Sequence, residues 1–156
     1  MKQRVHQIEL FMKYPHEVQN EWFRKLISSA KETEYGKKYD FNSINRVREF
    51  KERVPIQNYD SLKPYIDRVR RGEQNILWNT PIKWFAKSSG TTADKSKFIP
   101  VSEESLEECH FKGGKDMLSM YFNNNPESQL FTGKSLTIGG SHQINQLKTN
   151  SRLAIV

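Results

Sequence analysis

A single cysteine, Cys109, excludes an intramolecular disulfide and suits a reducing compartment. The four histidines, His6, His16, His110 and His142, are never spaced three or four apart, so no helix face carries a paired imidazole metal site. No apolar run approaches the length of a membrane span, and the opening stretch MKQRVHQIELFMKYP is too polar for the core of a signal peptide. Internal repeats and low-complexity tracts are also missing. These absences predict a soluble, cytoplasmic protein without a membrane partner.

What remains is enough to fold. At 156 residues, with 35% hydrophobic and 12% aromatic side chains, the chain suits one domain with its own core. A net charge of +7 keeps nucleic acid in view as a partner. The bases are interleaved with acids, however, as in EFKERVP and KETEYGKK, which is how solvated helix faces look. The arginines of RVRRGEQN read as an exposed helix end, where cations suit the negative pole. No nucleic-acid partner is expected, and nothing in the sequence sets an oligomeric state.

The first half reads helical. Val18, Trp22, Leu26 and Ala30 make one stripe, with Phe23 and Ile27 beside it and Gly36 as the C-terminal cap. Ile44, Val47 and Phe50 predict a second helix, stopped by Pro55. A third has Asp60 as N-cap, Leu62, Tyr65, Ile66 and Val69 as its buried face, and Gly72 as its exit. From residue 76 the texture changes. NILW and IKWFAKSSG read as strand, with Ile82, Trp84 and Ala86 on one side and Lys83, Phe85 and Lys87 on the other. KSKFIPVS predicts a second short strand. Ser102 then caps a helix opening on Glu103 and Glu104, with an apolar face through Leu106, Cys109, Met117 and Met120. Gly113 and Gly114 either break it or admit another backbone. KSLTIGGSH reads as a buried strand, and RLAIV as a strand cut short. The expected class is mixed α/β: helices first, then strand, loop, strand, helix, strand.

The loop between the two strands, SSGTTADKSK, is the chemical feature. Polyphosphate needs donors from many directions and little bulk. Gly90 lets the backbone approach, Ser88, Ser89, Thr91 and Thr92 add short hydroxyls, and Lys95 and Lys97 supply mobile positive charge. It is no Walker A loop, because the lysines come late and a strand follows.

Read on through its flank, SSGTTADKSKFIPVS resembles the phosphate-loop motif of acyl-adenylate-forming enzymes. More closely, it is similar to the auxin-responsive acyl-acid amido synthetase family, bacterial relatives included. ETEYGKKYDF, FKERVPIQNYDSLKPYIDRVRRGEQNILW and SLTIGGS look like further segments of that family in the same order, so the resemblance runs from about Val18 onward.

The resemblance implies the N-terminal portion of a large adenylate-forming domain over residues 1–156, with the rest of that domain and a small C-terminal domain absent. It implies ATP and Mg2+, a carboxylic acid, and an amine or amino acid as the small-molecule partners. Ser88, Ser89, Gly90, Thr91, Thr92 and Lys95 would meet the ATP phosphates, and Lys97 matches the family's loop lysine and would be the catalytic residue, with Lys95 a possible substitute. Asp94 departs from the small residue common there. The adenine segment, the acidic magnesium ligand, the ribose aspartate and the late lysine have no match, so the chain alone is expected to be inactive.

Gly139, Gly140, Ser141 and His142 end a predicted strand, where α/β proteins open ligand crevices, and are candidates for the acyl pocket. Cys109 and His110 make a poor catalytic dyad, since adjacent helical residues diverge, and Cys109 reads as core. A binding module that keeps the phosphate loop without catalysis is the alternative, and a basic nucleic-acid-binding domain a third.

Overall fold

In the computed structural model, residues 2–88, 96–134, 136, 145–147 and 150–155 are described. In chain order the elements are α1 (Lys2–Lys13), α2 (Pro15–Ala30), α3 (Glu34–Lys38), a 3₁₀ turn (Phe41–Ser43), α4 (Val47–Arg53) and α5 (Tyr59–Arg70). There follow β1 (Trp84–Lys87), β2 (Phe98–Val101), α6 (Glu103–Ser105), a π-helical segment (Leu106–Phe111), α7 (Lys112–Asn124), β3 (Asn145–Leu147) and β4 (Asn150–Ile155). The mixed α/β class and the helices-first order agree with the sequence. The chain divides into two compact units, one of Gln19–Glu103 with Gln143–Val156, the other of Met1–Val18 with Glu104–His142.

The first of these carries the sheet, in the order β2-β1-β4-β3. β1 pairs antiparallel with β2, from Trp84 opposite Val101 to Lys87 opposite Phe98, and parallel with β4. β3 lies antiparallel against β4. The two expected strands around the hydroxyl-rich loop therefore pair with each other, and RLAIV lies in β4 up to Ile155. NILW is not a strand; Ile76 is buried in an irregular stretch after Gly72.

Two apolar clusters build this unit's core. Val69, Ile76, Ile82 and Phe85 form one, with Tyr65, Leu77, Trp78 and Phe98 against it. Ile27, Ala30, Phe41 and Ile44 form the other, with Phe23, Tyr35, Tyr39, Phe50, Val54 and Trp78. Trp78 packs on both and joins them. The expected two faces do not sort by burial: Phe85 is 0% exposed and Ile82, from the other face, is buried with it, while Trp84, Lys83 and Lys87 lie at the surface. Phe85→Ala is expected to cost about 3–5 kcal/mol, the usual loss for emptying an aromatic site in a packed core. Urea titration of the two proteins checks it, and equal midpoints would remove Phe85 from the core.

Several helical details differ from the sequence reading. α2 ends at Ala30, and Gly36 lies inside α3 instead of capping α2. Leu26 is 50% exposed, because the buried face runs through Phe23, Ile27 and Ala30. Ile44 precedes α4 and is buried there, while Val47 points outward. Gly72 does end α5, at a φ of 101° that favours glycine. Arg68 then anchors the exit by pairing with both carboxylate oxygens of Glu34, at 2.6 and 2.7 Å, and with Glu73.

In the other unit, α7 packs on α1, and Arg4 binds Asp116 through a two-pronged ion pair. The Arg4 guanidinium holds the Asp116 carboxyl below the ordinary carboxylate range. The helix opens on Glu103 and Glu104 after the buried Ser102 and runs through Gly113 and Gly114 without a break. Among the described residues nothing lies within 4 Å of a Cβ placed on either glycine, so neither admits another backbone. The expected apolar face is not buried. Cys109 is exposed and Met117 is 66% exposed. A stripe counted at 3.6 residues per turn loses phase across the six π-helical residues Leu106–Phe111. Of the predicted strand KSLTIGGSH, Lys134 and Leu136 are described; neither is in a strand, and Leu136 is 94% exposed.

Candidate functional site

α5 begins with a capping box. The Asn58 side chain accepts the Ser61 N–H at 2.9 Å, and the Ser61 hydroxyl accepts the Asn58 N–H at 3.1 Å. The N-cap is thus Asn58, not Asp60, and Tyr59 becomes the first residue of the helix. Pro64 is accommodated inside α5. From this first turn Tyr59 reaches β2, where its hydroxyl accepts the N–H of Phe98 at 2.9 Å. At the far end of α5 the Arg70 guanidinium stacks over the Phe98 ring, 3.8 Å from its centroid. Burial pushes the Asp67 carboxyl up, but Lys63 and Arg70 together outweigh it and hold it below the ordinary range. The two ends of α5 therefore grip the start of β2.

Directly before Phe98, the chain closes the mouth of the hydroxyl-rich loop. The Ser88 N–H donates to the Lys97 carbonyl at 2.9 Å, and the Ser88 hydroxyl oxygen accepts the Lys97 N–H at 3.0 Å. Ser88 thus ties one loop end to the other while its own O–H remains a donor. Lys97 is exposed, and its ammonium lies 5.7 Å from the centre of the Tyr59 ring. The Lys97 backbone is thus fixed at the loop mouth beside the Ser88 hydroxyl, and its side chain runs toward the Tyr59 ring.

Of the predicted site residues, Ser88 and Lys97 are brought together. Ser89, Gly90, Thr91, Thr92 and Lys95 lie outside the described residues, as do Gly139, Gly140, Ser141 and His142. Among the described residues no group of three His, Cys, Asp or Glu side chains could hold a metal ion. Nor is any helix among them long and apolar enough to cross a membrane. Sequence reasoning missed Tyr59 and Arg70. The signal for Tyr59 lay in Asn58 and Ser61, whose spacing also fits a capping box and would have set the helix start.

A family model, GH3 family N-terminal domain, matches residues 4–154. The chain is 34% identical over 154 residues to jasmonoyl-L-amino acid synthetase JAR4 of Nicotiana attenuata, covering 96% of this chain and 25% of that protein. It is 36% identical over 101 residues to indole-3-acetic acid-amido synthetase GH3.2 of Arabidopsis thaliana, covering 64% of this chain and 18% of that one. Among solved structures, GH3.15 acyl acid amido synthetase superposes with a TM-score of 0.81 at 24% identity, over 97% of this chain and 26% of that one. The likeness to that structure carries the fold. The chain spans about a fifth to a quarter of the length of these proteins. With the model of the GH3 family N-terminal domain matched from residue 4 to residue 154, the chain belongs to the GH3 family.

Proposed function

We propose that this chain is the N-terminal portion of the large domain of an ATP-dependent acyl-acid amido synthetase, and that Ser88–Thr92, Lys95 and Lys97 hold the ATP phosphates. The observation that carries the reading is the pairing of Ser88 with Lys97 at the mouth of SSGTTADKSK, within a chain of this family. In the first reaction a carboxylate oxygen attacks the α-phosphorus of ATP, and pyrophosphate leaves. In the second, the nitrogen of an amine or amino acid attacks the acyl carbon, and AMP leaves. Negative charge builds on the departing pyrophosphate, where the Lys97 ammonium and the loop hydroxyls can take it up. Mg2+, as the partner of ATP, would supply further charge screening, with its acidic ligand provided from outside the described residues. Gly139, Gly140, Ser141 and His142 line the acyl pocket in this reading, and the single cysteine suits the cytoplasm.

The test is ATP–pyrophosphate exchange by the complete gene product across a panel of carboxylic acids. Exchange that depends on one class of acid is expected. Tight ATP binding without exchange under any acid would leave a binding module instead of a ligase.

A further inference from the structure

Tyr59 has a role that neither the loop motif nor the family match assigns to it. We infer that it is a positioning residue for the phosphate loop: its hydroxyl fixes the loop's exit strand and its ring holds the Lys97 ammonium in reserve. The inference rests on the phosphate reading above.

The geometry begins at the sheet edge. β2 is an outermost strand, so every second backbone N–H on it faces away from β1. Lys97 turns its N–H and C=O toward Ser88, which sets the parity. Phe98 therefore faces outward, and its N–H finds the Tyr59 hydroxyl at 2.9 Å. Pro100, two residues on, shares that outward side and has no N–H to satisfy. The edge is thus closed by a tyrosine at one position and a proline at the next.

The consequence falls on Lys97. Its own backbone is tied to Ser88 on one side, and the next residue is tied to Tyr59 on the other. Two successive anchors restrict the backbone rotation that would swing the lysine away from the loop. A long, flexible ammonium would still lose rotamer freedom on meeting phosphate. The ring 5.7 Å beneath it gives that ammonium a weak resting contact, strong enough to bias its direction and weak enough to release it. Loop anchoring and cation placement are joined in one side chain from the first turn of α5.

The experiment measures pyrophosphate exchange in the complete gene product, with ATP and the carboxylic acid varied separately. Tyr59→Phe keeps the ring and removes the hydroxyl. It is expected to raise the KM for ATP about fivefold, the worth of one hydrogen bond, with the KM for the acid unchanged. Tyr59→Leu removes the ring as well and should also lower kcat; in a Lys97→Ala background, where no ammonium needs placing, it should cost no more than Tyr59→Phe. An unchanged ATP KM in Tyr59→Phe overturns the inference, as does an equal rise for ATP and acid, which marks a merely structural residue. Should Tyr59→Phe melt below the assay temperature, hydrogen exchange of the wild-type Phe98 amide decides. Protection is expected, and exchange at the rate of an open edge amide overturns it. Acid-dependent exchange in the wild type with an indifferent Tyr59→Phe removes Tyr59 alone, whereas no exchange in the wild type removes the phosphate reading with it.

Discussion

Gly36→Ala is expected to destabilise the protein by about 3 kcal/mol or more, beyond the ordinary cost of overpacking. A methyl at this position would stand 2.0 Å from the Ala30 carbonyl oxygen and 2.9 Å from its carbon, with the Lys31 Cα at 3.0 Å. All three atoms are backbone, so no side chain can turn aside. The backbone there is also pinned. Thr33, 0% exposed, donates its hydroxyl to the Ala30 carbonyl at 2.6 Å and accepts the Gly36 N–H at 2.9 Å. That one hydroxyl satisfies both the last turn of α2 and the first turn of α3, and any shift that admits a methyl breaks it. Gly113→Ala makes the opposite case. That glycine is helical with open space around it, and alanine should add about 0.5–1 kcal/mol through its better helix propensity. Chemical denaturation of both variants checks the pair, and equal midpoints would show that Gly36 does not approach Ala30 as described.

The same residue illustrates where sequence reading ends. A glycine a few positions after an apolar stripe suits a helix cap, and nothing local separates that role from a close backbone approach. The stripe itself misled for a geometric reason. Residues four apart on a helix advance by 400°, so Val18, Trp22, Leu26 and Ala30 drift about 40° per step around the axis. The face that packs is Phe23, Ile27 and Ala30, spaced four and then three, which keeps its direction. Strands were legible where alternation coincided with turn chemistry: β1 and β2 flank the hydroxyl-rich loop as their sequences imply. Which of Trp84 and Phe85 is buried was not legible, because both are large and apolar and the choice is made by Val69, Ile76 and Ile82. The loop's chemistry could be read from its residue types. Its anchorage could not, since Tyr59 and Phe98 are 39 positions apart and meet only after α5 folds onto β2.

Lys97→Ala in the complete gene product is expected to slow acid-dependent pyrophosphate exchange about 100-fold, roughly what one well-placed transition-state donor supplies. The lysine's backbone is held at the loop mouth by Ser88, and the residue is exposed. Its charge matters most when pyrophosphate departs, so the loss should fall on kcat more than on the KM for ATP. Tyr59→Phe should show the reverse division, which separates the residue that meets phosphate from the one that places it. Thr92→Ala, which removes one neutral donor, should cost about tenfold, less than the charged group. Lys95→Ala removes a second phosphate-binding charge and should slow exchange less than Lys97→Ala; if the two variants exchange their effects, the catalytic charge belongs to Lys95. Full exchange rates in both Lys97→Ala and Thr92→Ala would falsify the assignment of this loop to phosphate. Lys97→Arg tests the chemistry more finely. A guanidinium keeps the charge but is planar and less able to follow a leaving group than a compact ammonium, so it should restore ATP binding before it restores turnover.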